Sequence, residues 1–190
     1  SEKEETQINV APGLNMMKVP DGLKGNVKEI STGATFSVGV DNDGKVYVWG
    51  YTKISNKIDI AKKMPKQKEM GKVVSVSAGF DHVMALNEDG ELFIWGSDRM
   101  GQCQVPMEVK HEKIKQIAAG YQISYVLTED GEVIAWGNEN LNDVRLTRRN
   151  GNSHIAKISV ANTTLMALTD DGEIRHLGSQ KSDISNIPED

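Results

Sequence analysis

Cysteine is nearly missing from this chain: Cys103 stands alone among 190 residues, which excludes an internal disulfide and leaves both redox compartments open. Long hydrophobic runs are missing as well. None approaches the roughly 18 apolar residues that a membrane-crossing helix needs, so membrane insertion by this segment is not expected. The opening SEKEETQ is polar where a signal peptide would be apolar. It begins with Ser rather than Met, which implies a processed chain or one whose upstream region has been removed, so the lack of a leader says little about location. Net positive charge is also absent. The formal charge is −5, and such a balance encodes no general attraction to nucleic acid or to an anionic membrane, nor does it favour acidic substrates. Sustained helical periodicity is found nowhere.

What the chain has is a repeat. TGATFSVGVDNDGKVYVWG ends at Gly50, AGFDHVMALNEDGELFIWG at Gly96, AGYQISYVLTEDGEVIAWG at Gly137 and VANTTLMALTDDGEIRHLG at Gly178. The closing glycines fall 46, 41 and 41 residues apart, and periods of this size belong to propellers, solenoids or arrays. Inside each block the spacing is invariant. Gly33, Gly79, Gly120 and Ala161 stand eleven residues before Gly44, Gly90, Gly131 and Gly172, and six more residues reach the closing glycine.

Each block predicts three strands. An alternating or apolar run such as Val73–Ala78 precedes the first glycine, a second strand follows a short corner, and a third ends at the Trp-Gly pair. The tetrapeptides ending in Asp-Gly, Asp41–Gly44, Asn87–Gly90, Thr128–Gly131 and Thr169–Gly172, mark the hairpins between second and third strands. Val19-Pro20, Met64-Pro65, Val105-Pro106, Leu146-Thr147 and Ile187-Pro188 recur in phase. Because proline cannot donate to a ladder, they predict a fourth strand at the sheet edge. The longer first period places five extra residues in the lysine-rich stretch Tyr51–Lys63. The pattern is that of an all-β protein made of β-propeller blades of four antiparallel strands, with four repeats plus an extra edge strand. Residues 1–13 form an N-terminal linker and 14–190 the repeat domain, with blades at about 21–65, 66–106, 107–147 and 148–188. Trp49, Trp95 and Trp136 share one blade position, and Leu177 holds it in the fourth repeat; large rings there are expected to fill the space between blades.

These residues resemble the repeat of the regulator of chromosome condensation family: Ala-Gly, two residues, often His, an Ala-Leu strand, an acidic Asp-Gly turn and a strand ending in Trp-Gly. The second repeat matches throughout, including His82. Phe36, Ile123 and Thr164 hold the His position elsewhere, and Ala161 and Leu177 depart from the pattern in the last repeat. The short Val-Pro connections are more similar to bacterial members, among them the propeller-type β-lactamase inhibitory proteins, than to the eukaryotic nucleotide exchange factor. Family members usually close seven blades. Four repeats therefore imply a partial seven-bladed-type arc or a closed four-bladed ring with the surplus strand as a clasp.

Catalytic and metal chemistry find little support. Asp41-Asn42-Asp43-Gly44 begins like a calcium loop, but Lys45 and Thr52 stand where ligands belong. Cys103 has no neighbouring base in sequence, the Asp81-His82 pair has no positioned nucleophile, and His82, His111, His154 and His176 lack metal spacing. No enzymatic activity, cofactor or metal is expected, and the family resemblance implies that His82 bonds the backbone at a corner. The basic groups Lys62, Lys63, Lys66, Lys68 and Arg145, Arg148, Arg149 lie in corresponding connections; a solvated face and a local reader of anions are the two accounts of them.

The residues after each first glycine emerge together on one face. Thr35, Phe80, Asp81, Tyr121, Gln122 and Asn162 are the candidate partner-binding set, and Phe80 and Tyr121 are the kind of aromatic residue that interface hot spots use. The expectation is a non-enzymatic protein-interaction module of a larger bacterial surface or secreted protein, with a protein partner and without nucleic acid. A structural arc that self-associates or joins other blades is the alternative, and guanine-nucleotide exchange on a small GTPase a further one.

Overall fold

Every repeat becomes one antiparallel sheet. The computed structural model describes residues 18–138 and 154–177, and these form four sheets of three strands. The first holds β1 (Val27–Thr32), β2 (Phe36–Asp41) and β3 (Val46–Gly50); the second β4 (Val73–Ala78), β5 (His82–Asn87) and β6 (Leu92–Gly96). The third holds β7 (Ile114–Ala119), β8 (Ile123–Thr128) and β9 (Val133–Gly137); the fourth β10 (Ile155–Ala161), β11 (Thr164–Thr169) and β12 (Ile174–Leu177).

The hairpins follow from the Asp-Gly turns. Gly44 N–H donates to Asp41 C=O at 3.1 Å and Asp41 N–H to Lys45 C=O at 3.0 Å, a three-residue loop closed by a glycine at φ 86°. Asp41 Oδ1 accepts from the amides of Asp43 and Lys45, so this carboxylate is engaged by its own turn. Asn87 does the same for Asp89 and Glu91.

The predicted fourth strand is not found among the described residues. Among the described residues the proline segments lead into short helical turns: Pro20 caps a 3₁₀ turn at Asp21–Leu23, and Pro106 caps α3 (Met107–Lys110). Pro65 lies between α1 (Ile60–Lys63) and α2 (Gln67–Met70). Proline lacks the donor a strand edge uses, but just ahead of a helical turn no donor is needed and its fixed φ suits the entry. Each turn delivers one buried apolar residue, Leu23, Met70 or Val109. Leu146-Thr147 and Ile187-Pro188 lie outside the described residues.

A bulge explains an oddity of the inner strands. Val73 and Val76 are both buried in the core between the first two sheets, although a spacing of three puts residues of a regular strand on opposite faces. The ladder register shifts between Val73 and Ser75, and likewise between Val27 and Glu29, Ile114 and Gln116, and Ile155 and Lys157. One extra residue at the start of every inner strand returns both apolar side chains to one side and increases the twist.

The sheets stack face to face in chain order. One apolar cluster joins Val38, Val40 and Val46 of the first sheet to Val83, Ala85 and Trp95 of the second. A second joins Met84 and Leu86 to Val126, Ile134 and Trp136, and a third joins Tyr125 and Leu127 to Ile158, Leu165 and Ala167. The central strands β5 and β8 are buried at every position because both of their faces meet a neighbour. Each fully buried Val, Leu, Ile or Met side chain among them contributes about 1.5–3 kcal/mol.

Tryptophan fastens the stack. Trp95 Nε1 donates to Ile60 C=O and Trp136 Nε1 to Gln102 C=O, both at 3.0 Å, so each ring clasps the connection that leaves the preceding sheet. The expectation that the rings fill space between blades holds for Trp95 and Trp136. Glycine sets the spacing at the inner rim. A Cβ on Gly33 would lie 2.6 Å from Gly79 O; on Gly79, 2.5 Å from Gly120 O; and on Gly120, 2.5 Å from Asn162 O. Ala161, at the same position in the fourth repeat, is exposed, and there a methyl group is tolerated. Gly79→Ala is therefore expected to destabilise the protein by about 1–3 kcal/mol through overpacking alone. Chemical denaturation measures it, and unchanged stability would mean that these contacts do not set the sheet spacing.

Candidate protein-interaction face

The corners after the first glycines are held from two directions. Tyr51 N–H donates to Thr35 C=O, Ser97 N–H to Asp81 C=O and Asn138 N–H to Gln122 C=O, at 2.8, 2.8 and 2.9 Å. The chain leaving each third strand is thereby tied to its own corner. Corners of successive sheets are also joined, Phe80 N–H to Gly120 C=O at 3.2 Å and Tyr121 N–H to Asn162 C=O at 2.7 Å. These bonds line the corners up along one end of the stack, as the repeat phase predicts.

Phe80 and Tyr121 meet across that boundary. Their ring centroids are 4.9 Å apart with planes at 66°, an edge-to-face pair, yet Phe80 stays 46% and Tyr121 36% exposed. They pack on each other and still present ring surface to solvent. Beside them a concavity of about 360 Å³ opens between the corners, walled by Gly33, Gly79, Gly120, Ala34 and Asn162 together with Phe80. No charged side chain lines it. Gln122 and Asn162 have φ of 57° and 51°, a left-handed backbone that costs a non-glycine residue about 1–2 kcal/mol. Thr35 is exposed, with its hydroxyl donating to Tyr51 C=O at 2.9 Å.

Asp81 is placed differently from the other five. Its side chain turns inward, with Gln102 Nε2 donating to Oδ1 at 3.4 Å, and the residue is buried. Burial pushes the carboxyl pKa upward, but the adjacent His82 imidazole, the Ser97 hydroxyl and the Gln102 amide outweigh it and hold the group below its ordinary value. Asp81 is thus a support for the corner, with Phe80 beside it carrying the exposed surface.

Beneath the corners lies a buried polar node. His82 Nε2 is 2.9 Å from Ser124 Oγ in the next sheet, and that hydroxyl donates to Gln102 C=O at 2.8 Å. The same carbonyl receives Trp136. His82 therefore bonds a side chain across the blade boundary, where a bond to the backbone was expected. Sequence inspection missed Gln102, because its main-chain carbonyl does the work and a carbonyl leaves no residue signature.

Asp81, His82 and Ser124 contain the residue types of a hydrolytic triad without its geometry. His82 Nδ1 is 3.8 Å from Asp81 Oδ1, too far for a hydrogen bond, and the Ser124 hydroxyl is fully buried. The Cys103 thiol is pushed up to about 12, first by burial and then by the charges of Asp98 and Asp81; it is no nucleophile near neutral pH. Among the described residues no three His, Cys, Asp or Glu side chains converge as metal ligands.

Because the folded pKa of Asp81 lies below its ordinary 3.8, its contribution to stability is full above that pH and is lost as pH falls through the native pKa. The difference in stability between the protein and its Asp81→Asn variant is expected to be largest near neutral pH and to shrink below pH 3.8. Denaturation across pH measures it; a pH-independent difference would remove the charged carboxylate from the account.

Residues 27–52, 73–102 and 114–142 match the model of the Regulator of chromosome condensation (RCC1) repeat. No curated protein matches the chain. Among solved structures, Prp20p from Saccharomyces cerevisiae, described with its binding to Gsp1p and histones, is similar at 24% identity and a TM-score of 0.65 over 87% of this chain and 48% of its own. The yeast protein bound to Kap60 gives 23% identity and a TM-score of 0.65 over 90% of this chain and 47% of its own. Human WBSCR16 gives 22% and 0.63 over 80% of this chain and 47% of its own. At these identities the likeness is one of fold, and the chain spans about half the length of these neighbours. With their strand order, Asp-Gly hairpins and Trp-Gly endings in place, the three matched stretches are repeats of the regulator of chromosome condensation family, and the chain is built from β-propeller blades.

Proposed function

We propose that this chain is a non-enzymatic protein-interaction module that engages a protein partner through its corner face, centred on Phe80 and Tyr121 and rimmed by Thr35, Gln122 and Asn162. The observation that carries this reading is the exposed edge-to-face aromatic pair, donated by two adjacent blades beside an uncharged concavity. Aromatic side chains in such a setting offer large apolar area at little entropic cost. The yeast neighbour described with Gsp1p and histones supports a protein partner as the class. The short Val-Pro connections alone support a place in a larger bacterial surface or secreted protein.

The double variant Phe80→Ala, Tyr121→Ala is expected to weaken partner capture at least about tenfold, as loss of a hot spot does, while changing the midpoint of thermal unfolding little. A large loss of stability instead would assign both rings to the fold. A nucleotide-release assay on a small GTPase separates simple binding from the exchange alternative.

A second reading rests on the two end sheets. Val27 and Ile30 are 46% and 65% exposed, whereas Val73 and Val76, at the same positions one repeat later, are 0% and 3%. Leu168 and Ile174 in the last sheet are 41% and 54% exposed against 0% for Leu127 and Val133 one repeat earlier. Among the described residues, no core cluster joins the fourth sheet to the first. The first sheet also presents Trp49 with no carbonyl to clasp among the described residues, unlike Trp95 and Trp136. Such faces suit an open arc that accepts another blade or a second copy. Size-exclusion chromatography with light scattering is expected to show association that rises with concentration and is lost in Ile30→Asp. A strict monomer at high concentration would refute self-association.

A further inference from the structure

The loop that lengthens the first repeat is a folded structure, and it carries the opposite charge to the rest of the molecule. Its strand-like bridge pairs Lys53 with Asp59, Ile54 N–H donates to Ile58 C=O at 3.0 Å, and Ser55 Oγ accepts from the amides of Lys57 and Ile58. Ile54 and Ile58 pack against the core between the first two sheets. Asp59 Oδ1 accepts from Thr52 Oγ1 and from the amides of Ala61 and Lys62, capping α1. The Thr52 bond, more than any other contact, holds its carboxyl below the ordinary range.

This frame surrounds a concavity of about 260 Å³ lined by Lys53, Lys57, Lys62 and Lys63, with Ser55 and Asn56 offering polar groups. Four cations face one carboxylate, Asp59, which is engaged by its own loop. The loop stands at the corner end of the stack. Tyr51, at its start, is tied to Thr35, and Ile60, at its end, lies against the Gly96 position and receives Trp95. The opposite end carries the hairpin turns, with Asp43, Asp89, Asp130 and Asp171 one per blade. In a chain of net charge −5, the positive charge of the 53–63 loop is therefore a local feature at the same end of the stack as the aromatic pair.

We infer that the partner of the corner face is an acidic protein segment, whose carboxylates seat on Lys53, Lys57, Lys62 and Lys63 while an apolar side chain reaches Phe80 and Tyr121. This deepens the interaction module proposed above and rests on it. The lysines supply steering and register, which exposed pairs do better than they supply affinity, and the rings supply apolar contact.

The test uses the whole chain and a fluorescent oligoglutamate peptide with one central phenylalanine, read by anisotropy at low and high salt. Binding is expected at low salt, falling as salt rises. The charge reversal of all four lysines to Glu is expected to weaken it at least about tenfold, as the loss of several modest ion pairs would, and the change of all four to Gln by less. Lys110→Glu with Lys113→Glu, outside the loop, is expected to leave it unchanged. Thermal unfolding of each variant confirms that the loop change left the fold intact. Equal binding by the four-Glu variant overturns the inference. So does tighter binding of a single-stranded oligonucleotide, or of phosphatidylserine vesicles, than of the peptide. If the Phe80, Tyr121 double variant weakens the peptide and the lysine changes do not, the corner face stands and its acidic partner falls; loss with the lysine changes alone separates the loop from the aromatic pair.

Discussion

The closeness of neighbouring blades at the inner rim is the constraint on which the rest depends. A glycine without a Cβ after each of the first three inner strands lets the next blade's corner carbonyl come to about the distance a methyl group would occupy. Once the backbones are that close, corner amides reach the carbonyls of the following blade, the apolar faces interlock, and Trp95 and Trp136 meet the connections behind them. Few other residue types could do this, since any side chain would separate the strands before their faces closed. The inner strands add their own polar ties: Glu29 accepts from Ser75 and the Val76 amide, and Gln116 bonds both main-chain groups of Ile158.

Stability and recognition are consequently separated by depth. The buried node of His82, Ser124, Gln102 and Trp136 bonds across a blade boundary through His82 Nε2, the Ser124 hydroxyl and the Gln102 carbonyl, and so ties two blades together beneath the corners. Above it stand Phe80 and Tyr121, which touch each other and remain half open to solvent. Asp81 belongs to the lower layer although it adjoins Phe80 in the chain. Adjacent residues on a corner thus serve different layers, one turned in and one turned out.

Much of this was legible before any coordinates. The invariant offsets placed three strands per repeat, the Asp-Gly pairs placed the hairpins, and the recurring tryptophans marked the blade boundaries, because each depends on local chemistry repeated in phase. The bulge at Val73–Ser75 was not legible: an extra unpaired residue alters the direction of side chains without altering their type. The proline segments misled for a related reason. Proline reports a missing donor, which an edge strand and the entry of a helical turn share, and only the packing of Leu23, Met70 and Val109 distinguishes them. At the corner face, position in the repeat points to Thr35, Phe80, Tyr121 and Asn162, which are exposed, and to Gln122, which is half-buried, but the inward rotation of Asp81 depends on Gln102, a residue of the next connection.

The bond from Tyr51 N–H to Thr35 C=O, with its counterparts at Ser97 and Asn138, divides each repeat into a closed part and an editable part. Everything between corner and closing glycine is locked to a fixed length, whereas the chain beyond the tie can grow without displacing a strand, as the first repeat shows with five more residues than the later ones. Variation is thereby channelled to one end of the molecule. A lineage of such proteins could acquire new specificities by lengthening or recharging that segment alone, while inheriting an unaltered scaffold.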